Sequence, residues 1–189
     1  MGEAEEILRL GDGRSVVIRP ARAGDAAALH AYIRELGCST PFILTYTDDV
    51  PTPDAVQERL DRALTGGGYS LVGVDPQAGL VVANVSYGFS GRKKLAHAAE
   101  LGMGVLAGWQ GLGLGSRMLR RSIDDLRSTD SILRLELTVM KENAGARSMY
   151  TRAGFIEEGV KSRSILQPDG SFRDEIIMGM WIGEDADHG

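Results

Sequence analysis

Cysteine is nearly absent from this 189-residue chain, since Cys38 is the single one. An internal disulfide is therefore impossible, and a small secreted fold held together by disulfides is excluded. Long apolar runs are also missing, because none approaches the roughly 20 residues that a membrane-spanning helix needs. The first residues, MGEAEEI, are acidic where a secretory signal would be basic. We therefore expect a cytoplasmic protein with no membrane partner.

Basic residues are fewer than acidic ones, 21 against 26, which gives a net charge of −5. The one basic cluster, Arg92-Lys93-Lys94, is too short for a nucleic-acid interface, which needs clustered lysine and arginine. The three histidines are isolated and no cysteine accompanies them, so we expect no metal site. A hydrophobic content of 43% suits one globular domain with a sizeable core.

Glycine, in contrast, is plentiful, with 25 residues, and the most informative stretch is the glycine-rich segment QGLGLGS at positions 110–116. It follows an apolar strand pattern and opens a charged amphipathic helix. Glycines let the backbone approach an anion closely, and the first amides of a helix, here from Gly113 onward, have no partner within the helix. The segment is therefore predicted to cradle a pyrophosphate.

Three glycine motifs compete for this segment. A phosphate-binding loop of the NTPase type ends in Gly-Lys-Ser/Thr, and here Gly115 and Ser116 are followed by Arg117 with no lysine. A dinucleotide fingerprint needs a glycine at its sixth position, which is Ser116 counted from Gly111 and Met118 counted from Gly113. The pattern that remains is Gln-x-x-Gly-x-Gly, from Gln110 to Gly115.

This pattern and its surroundings resemble the GNAT superfamily of acetyl-CoA-dependent N-acetyltransferases. Upstream, HAAELGMGV at 97–105 resembles the family's fourth strand, and downstream LELTV at 135–139, Asn143, Met149-Tyr150 and Gly154-Phe155 resemble the fifth strand and the next helix. VIRPARAGD at 17–25 resembles the first strand and the start of the first helix. The segment from Glu136 to Met180 looks most like the branch that acts on L-amino acids or on phosphinothricin.

Local patterns predict the elements in chain order. A hairpin covers 7–10 and 15–19, and a helix follows with Asp25 as its N-cap. A second helix spans 54–64, and strands span 69–74, 80–89 and 97–106. The helix after the glycine turn carries the i,i+4 pairs Arg120–Asp124 and Arg121–Asp125. A strand at 133–139, a helix from Asn143 to Gly154, and a hairpin of 155–166 with 172–182 complete the chain.

The fold class is therefore α+β, a mixed and mostly antiparallel sheet with helices on both faces, in which the glycine-turn helix joins two parallel strands by a right-handed crossover. Residues 1–14 form a strand and turn of the same domain, residues 15–182 form the N-acetyltransferase domain that the resemblance implies, and the tail 183–189 is expected to be disordered.

The resemblance further implies that the two parallel strands splay apart and that the pantetheine arm of acetyl-CoA lies between them, paired with backbone groups of Met103, Gly104 and Val105. Gly102 and Gly104 fit a close approach of the ligand, although a ligand-free bulge would also explain them. The pyrophosphate would lie on the glycine turn, and Asn143 and Tyr150 would contact the co-substrate. The turn residues are Gln110, Gly111, Leu112, Gly113, Leu114, Gly115 and Ser116.

Amide formation from a thioester needs a neutral amine, a stabilised oxyanion and a protonated leaving thiolate. Tyr150 is the predicted proton donor, since an unperturbed phenol of pKa about 10 is protonated at neutral pH; the alternative is a core tyrosine on an apolar helix stripe. Glu100 or Glu136 is the predicted base, either directly or through a water molecule. The amide of Val105 is the predicted oxyanion donor, and Asn143 is either a co-substrate contact or a plain helix cap.

The resemblance leaves the acceptor open. The family selects it with the loop between the first two helices, here 37–52 with Phe42, Leu44 and Tyr46, and with the closing hairpin, here 162–174. A small-molecule amine, a free amino acid or an analogue, is the first hypothesis. Acetylation of a protein N-terminus, as in the ribosomal-protein acetyltransferases, is the second, and a non-catalytic CoA-binding module is the third. Homodimerisation is common in the family.

Overall fold

The computed structural model describes residues 5–44, 49–129 and 131–183. Within these ranges eight strands form one sheet in the order β1-β2-β3-β4-β5-β6-β8-β7. The strands are β1 (Glu6–Arg9), β2 (Ser15–Pro20), β3 (Gly68–Asp75), β4 (Leu80–Phe89), β5 (Ala98–Val105), β6 (Arg134–Met140), β7 (Ile156–Leu166) and β8 (Phe172–Trp181). Among the described strands only β5 and β6 pair in parallel, and every other pair is antiparallel.

Four α-helices lie in the same ranges: α1 (Ala26–Ser39), α2 (Pro53–Arg62), α3 (Leu114–Arg127) and α4 (Ala144–Ala153). Helix α2 begins at a proline, and the Thr52 hydroxyl before it accepts the amide of Ala55. Helix α4 is capped at both ends as its sequence predicts. The Asn143 side chain accepts the Ala146 amide at 3.2 Å, and Gly154 ends the helix with a φ of +108°.

Asp25 is the N-cap residue of α1, as predicted, but its side chain does not bond to the first turn of that helix. Its carboxylate accepts two bonds from the Arg19 guanidinium, at 2.7 and 2.8 Å, and the amide of Arg22 at 2.7 Å. A single 3₁₀ turn, Ala23–Asp25, precedes the helix, and Asp25 makes no side-chain cap bond. A bidentate guanidinium offers two charge-assisted bonds to a carboxylate, which is more than the free amides of a helix end supply.

Two further details differ from the sequence prediction. Helix α1 continues to Ser39, so the loop that was expected to begin at residue 37 is shorter. Of the two predicted ion pairs on α3, Arg121–Asp125 is present at 3.4 Å, whereas Arg120 donates its Nε to the carbonyl of Ser116 instead. Residues 1–4, Tyr46 and the tail from 184 onward lie outside the described residues.

The helices pack on both faces of the sheet, as predicted. Leu135, Leu137 and Val139 of β6 alternate onto the face that α3 and α4 cover, where they join Met118 and Tyr150 in the larger core. Helices α1 and α2 cover the opposite face over β3 and β4, with Leu29 and Leu60 packed against Val72. Arg134, Glu136 and Thr138 of β6 point to this second face.

The parallel strands separate where the resemblance implies. Strands β5 and β6 pair only from Ala98 with Arg134 to Glu100 with Glu136. Beyond that point β5 stays paired with β4 up to Val105, and β6 stays paired with β8 up to Met140. A gap therefore opens between β5 and β6 toward their carboxyl ends. No helix in the described ranges is long and apolar enough to cross a bilayer.

Candidate active site

The glycine turn lies at the open end of this gap. Gly111 and Gly113 have φ values of +73° and +83°, which residues with a side chain rarely adopt. The first backbone bond of α3 runs from the Arg117 amide to the Gly113 carbonyl at 3.0 Å. The amides of residues 114–116 therefore have no partner within the helix, and the positive end of the helix dipole lies behind them. This geometry fits a bound pyrophosphate.

Two side chains hold the turn in place. The Gln110 amide nitrogen donates to the Val105 carbonyl at 2.8 Å, which ties the turn to the end of β5. Arg14, from the first hairpin, donates to the Gly108 carbonyl at 2.7 Å and stacks 4.0 Å from the centre of the Trp109 ring. The sequence analysis missed Arg14, because nothing local to a turn between two strands indicates a contact 94 residues away.

Backbone groups of β5 are open toward the gap. The Leu106 amide bonds to the Val82 carbonyl on the β4 side at 2.9 Å, and the His97 carbonyl accepts the amides of Leu133 and Arg134 on the β6 side. Because hydrogen-bonding direction alternates along a strand in an antiparallel pair, even-numbered residues face β4 and odd-numbered residues face the gap. The backbone amide and carbonyl of Met103 and the amide of Val105 therefore face the gap, whereas the backbone of Gly104 faces its register partner Asn84.

Gly104 has a packing reason to be glycine. A β-carbon built on it would lie 2.5 Å from the Tyr32 hydroxyl and 2.5 Å from Leu36 Cδ2, both on α1. A β-carbon on Gly102 would meet only the Ser86 Oγ at 3.4 Å, an ordinary contact. The Tyr32 hydroxyl is buried beside the Asn84 backbone without a hydrogen bond of normal geometry, and burial raises the pKa of this phenol. Helix α1 therefore lies directly on β5 at this point.

The two predicted base candidates meet at the vertex of the gap. Glu100 and Glu136 are register partners in the last paired position of β5 and β6, on the face away from the leucines. Glu136 lies 3.5 Å from Arg134, which also forms a bidentate ion pair with Glu158. Glu100 is exposed, and its carboxylate has no hydrogen bond or ion pair with any described residue. The structure therefore distinguishes the two carboxylates: that of Glu136 is paired with Arg134, and that of Glu100 is free.

Tyr150 is buried on α4, with its ring edge-on to Phe155 at 5.8 Å. It belongs to the larger core, so the apolar helix stripe predicted from the sequence is present. Burial raises the pKa of the Tyr150 phenol to about 12. The group is therefore protonated across the neutral range, as a proton donor must be. No group of three or more His, Cys, Asp or Glu in the described chain is arranged to hold a metal ion.

Two cavities lie on the face that α1 and α2 share. The first, of about 250 Å³, lies between α1, α2 and strands β3 and β4, and Arg59 and Arg62 are among the residues that line it. The second, of about 520 Å³, lies where the segment after α1 meets the closing hairpin. We call the second one the hairpin cavity. Its described lining residues are Gly37, Thr40, Pro41, Ile43, Leu44, Met140, Ser164, Ile165, Leu166, Gln167, Pro168 and Glu175.

The hairpin cavity brings together the two segments that the sequence analysis assigned to acceptor selection. It also includes two residues that the sequence analysis missed, Met140 at the end of β6 and Glu175 on β8. The two are register partners. The alternation along β8, which turns Ile176, Met178 and Met180 toward the larger core, was the available signal that Glu175 faces the other way.

Comparison with known proteins agrees with this architecture. Residues 43–155 match the model of the acetyltransferase (GNAT) family. The chain is 32% identical over 167 residues to the L-amino acid N-acetyltransferase AaaT of Escherichia coli, covering 86% of this chain and 96% of that protein. It is also 32% identical over 81 residues to the ribosomal protein uS5-alanine N-acetyltransferase of Escherichia coli, covering 43% of this chain and 41% of that one.

Solved structures show the same fold. A GNAT-family acetyltransferase from Streptococcus pneumoniae superposes with a TM-score of 0.83 at 26% identity, covering 89% of this chain and 99% of the other. A phosphinothricin acetyltransferase from Sinorhizobium meliloti, in complex with acetyl-CoA, superposes with a TM-score of 0.80 at 17% identity, covering 92% of both chains. The chain belongs to the GNAT family of acetyltransferases. It is an acyltransferase, and the predicted resemblance and fold class are confirmed.

Proposed function

We propose that this protein moves an acetyl group from acetyl-CoA to a primary amine by direct attack in a ternary complex, and that the acceptor is a free amino acid or an analogue. The observation that carries the transfer reaction is the gap that opens after the Glu100–Glu136 pair and ends at the glycine turn. The acceptor class rests on the 32% identity to an L-amino acid N-acetyltransferase over most of both chains.

The residues present fit acetyl-CoA. We assign the pyrophosphate to the amides that follow Gly113 and the pantetheine amides to the open backbone groups of Met103. The Val105 carbonyl already accepts the Gln110 side chain, and its amide is reserved for the reacting carbonyl oxygen. In this assignment Gly104 lets α1 approach β5 and does not itself pair with the ligand. Asn143 remains a candidate contact in addition to its role as the cap of α4. Acetyl-CoA, when bound, supplies the thioester that the amine attacks.

Three groups of the chain then move the protons and stabilise the developing negative charge. Glu100 is our choice for the base that takes a proton from the amine, because its carboxylate is free, while that of Glu136 is engaged by Arg134. The Val105 amide donates to the oxygen on which negative charge develops. Tyr150 donates its phenolic proton to the leaving thiolate, and its pKa of about 12 keeps that proton in place until the thiolate forms.

The test measures release of the CoA thiol from acetyl-CoA, with pooled free L-amino acids in one set of wells and N-terminal peptides in another. Wells without an acceptor control for hydrolysis. Release with amino acids, followed by division of the pool, supports the proposal and names the acceptor. Release with peptides alone would contradict the small-molecule acceptor, and hydrolysis alone or silence in both sets would contradict acetylation of these acceptor classes.

A protein N-terminus is the second candidate acceptor. The uS5-alanine acetyltransferase, which this chain resembles over part of its length, acts on such an N-terminus by its name. The peptide wells of the same assay separate the two candidates.

A further inference from the structure

Glu175 is a buried carboxylate without a partner. Its side chain lies in the hairpin cavity, and the residue is 8% exposed. Its carboxylate makes no hydrogen bond or ion pair with any residue in the described part of the chain. Lys161 stands opposite on β7, but it is exposed and forms no ion pair with Glu175. Glu175 thus differs from the other buried acid, Asp25, whose carboxylate is fully engaged by Arg19 and the Arg22 amide.

A carboxylate in this position calls for a cation. Taking an ionised group out of water is costly unless hydrogen bonds or an opposite charge compensate it. The other described side chains that line the hairpin cavity are apolar or neutral polar, such as Ile165, Thr40 and Gln167, so none supplies a positive charge. Among its described lining residues the cavity therefore presents one negative group to whatever enters it. Its volume of about 520 Å³ is large enough for a side chain of the acceptor.

Glu175 is distant from the vertex of the gap. Its partner on β6, Met140, is four residues beyond Glu136, which corresponds to about 13 Å along a strand. Glu175 also lies one strand further from β5. A carboxylate at that distance does not act on an amine held beside Glu100. It is placed to bind another part of the same acceptor.

We propose that Glu175 binds a positively charged group of the acceptor, remote from the reacting amine, so that this protein prefers amines that carry a second cationic group. This inference rests on the proposed acetyl transfer and specifies its acceptor class as basic amino acids and related cationic amines. It gives Glu175 a specificity role and leaves the transfer chemistry to the residues at the gap.

The test compares L-arginine with L-citrulline, which have nearly the same shape and one primary amine each, but differ in the charge at the end of the side chain. The kcat and KM for each are measured with the parent protein, with Glu175→Gln and with Asp75→Asn. The control removes the same charge from the turn between β3 and β4, outside both acceptor-selecting segments, where Asp75 accepts the Gln77 amide. Binding of both compounds to the CoA-loaded protein is measured by calorimetry as a readout that needs no turnover.

The parent should favour arginine over citrulline by about tenfold or more in kcat/KM and in affinity, as expected for a hydrogen bond to a charged group. Glu175→Gln should bring this ratio close to one through the KM for arginine, with the KM for acetyl-CoA unchanged, and Asp75→Asn should keep the parent's ratio. A ratio near one in the parent, or a ratio that Glu175→Gln leaves intact, would overturn the inference.

Failure of the inference and failure of the proposed function give different results. If neither compound is acetylated or bound while the amino-acid pool is acetylated, the proposed function stands and the inference is overturned. If both are acetylated equally, the proposed function again stands and the role of Glu175 does not. If the whole pool is silent and the protein binds neither compound, both are overturned. The ratio of arginine to citrulline in kcat/KM and in affinity, measured with the parent, decides the inference even if Glu175→Gln fails to fold.

Discussion

Replacing Gly104 with alanine tests whether this glycine serves helix packing or the ligand. The added β-carbon would lie 2.5 Å from both the Tyr32 hydroxyl and Leu36 Cδ2, closer than β-carbons come to any atom in real structures. Both neighbours are buried, so α1 must shift or a side chain must leave its rotamer. Overpacking of this kind costs roughly 1–3 kcal/mol. For a chain of this length each kcal/mol lowers the melting temperature by roughly 2–4 °C, so at about 2 kcal/mol we expect a loss of about 4–8 °C.

Thermal and urea unfolding of Gly104→Ala without ligand measure this loss, and Gly102→Ala is the matched control. Gly102 lies on the same strand and the same face, but its β-carbon would make only an ordinary contact with Ser86. The control should unfold close to the parent, within about 1 kcal/mol, the cost or gain of a β-carbon in open backbone. The reasoning fails if Gly104→Ala is as stable as the parent and instead loses affinity for acetyl-CoA, because the glycine would then serve the ligand.

Three further predictions concern single side chains. Asp25→Asn should lower the free energy of unfolding by about 3 kcal/mol at pH 7, measured in urea, because it breaks a buried ion pair. Burial raises the pKa of Asp25, but the bonds from Arg19 and the Arg22 amide outweigh this effect and hold the pKa below its usual value. The difference in unfolding free energy between the parent and the variant should therefore be present above pH about 4 and vanish as the pH falls through the lower pKa of the folded state. Tyr150→Phe should reduce kcat about 10²-fold or more with little change in the KM for acetyl-CoA. Because the pKa of the phenol is about 12, the parent's rate should show no loss from its ionisation at pH 9. Unchanged turnover in the variant would refute the acid role. Tyr32→Phe should match or exceed the parent in thermal stability, because it removes a buried hydroxyl that has no normal hydrogen bond, and a loss above about 1 kcal/mol would show that the hydroxyl has a partner.

Local sequence signals were sufficient for features that interactions between neighbouring residues determine. The Gln-x-x-Gly-x-Gly turn, the cap at Asn143 and the end of α4 at Gly154 were predicted because φ preferences and cap bonds act within a few residues. Asp25 does occupy the N-cap position of α1, but its side chain makes no cap bond, for the opposite reason. Its partner Arg19 lies on the preceding strand, and the strength of that tertiary contact outweighed the local preference for a helix cap.

The two candidate bases show the same difference between what local sequence predicts and what tertiary contacts decide. Both Glu100 and Glu136 followed from the strand pattern and the resemblance. Only the parallel register places them side by side, and only the pairing of Arg134 with Glu136 and Glu158 distinguishes a held carboxylate from a free one. Charge partners across strands depend on register, and register is fixed by packing of the whole sheet.

The sequence by itself determined the order of the elements, the mixed sheet with its crossover helix, and the turn that can hold a pyrophosphate, because periodicity, glycine conformation and helix caps are properties of short segments. The tertiary structure alone decided that α1 needs Gly104 to reach β5, that Arg14 supports the glycine turn, and that Glu175 faces a cavity whose described lining contains no cation. Each of these depends on groups far apart in the chain. Their distance and burial are set only when the two layers of helices close on the sheet.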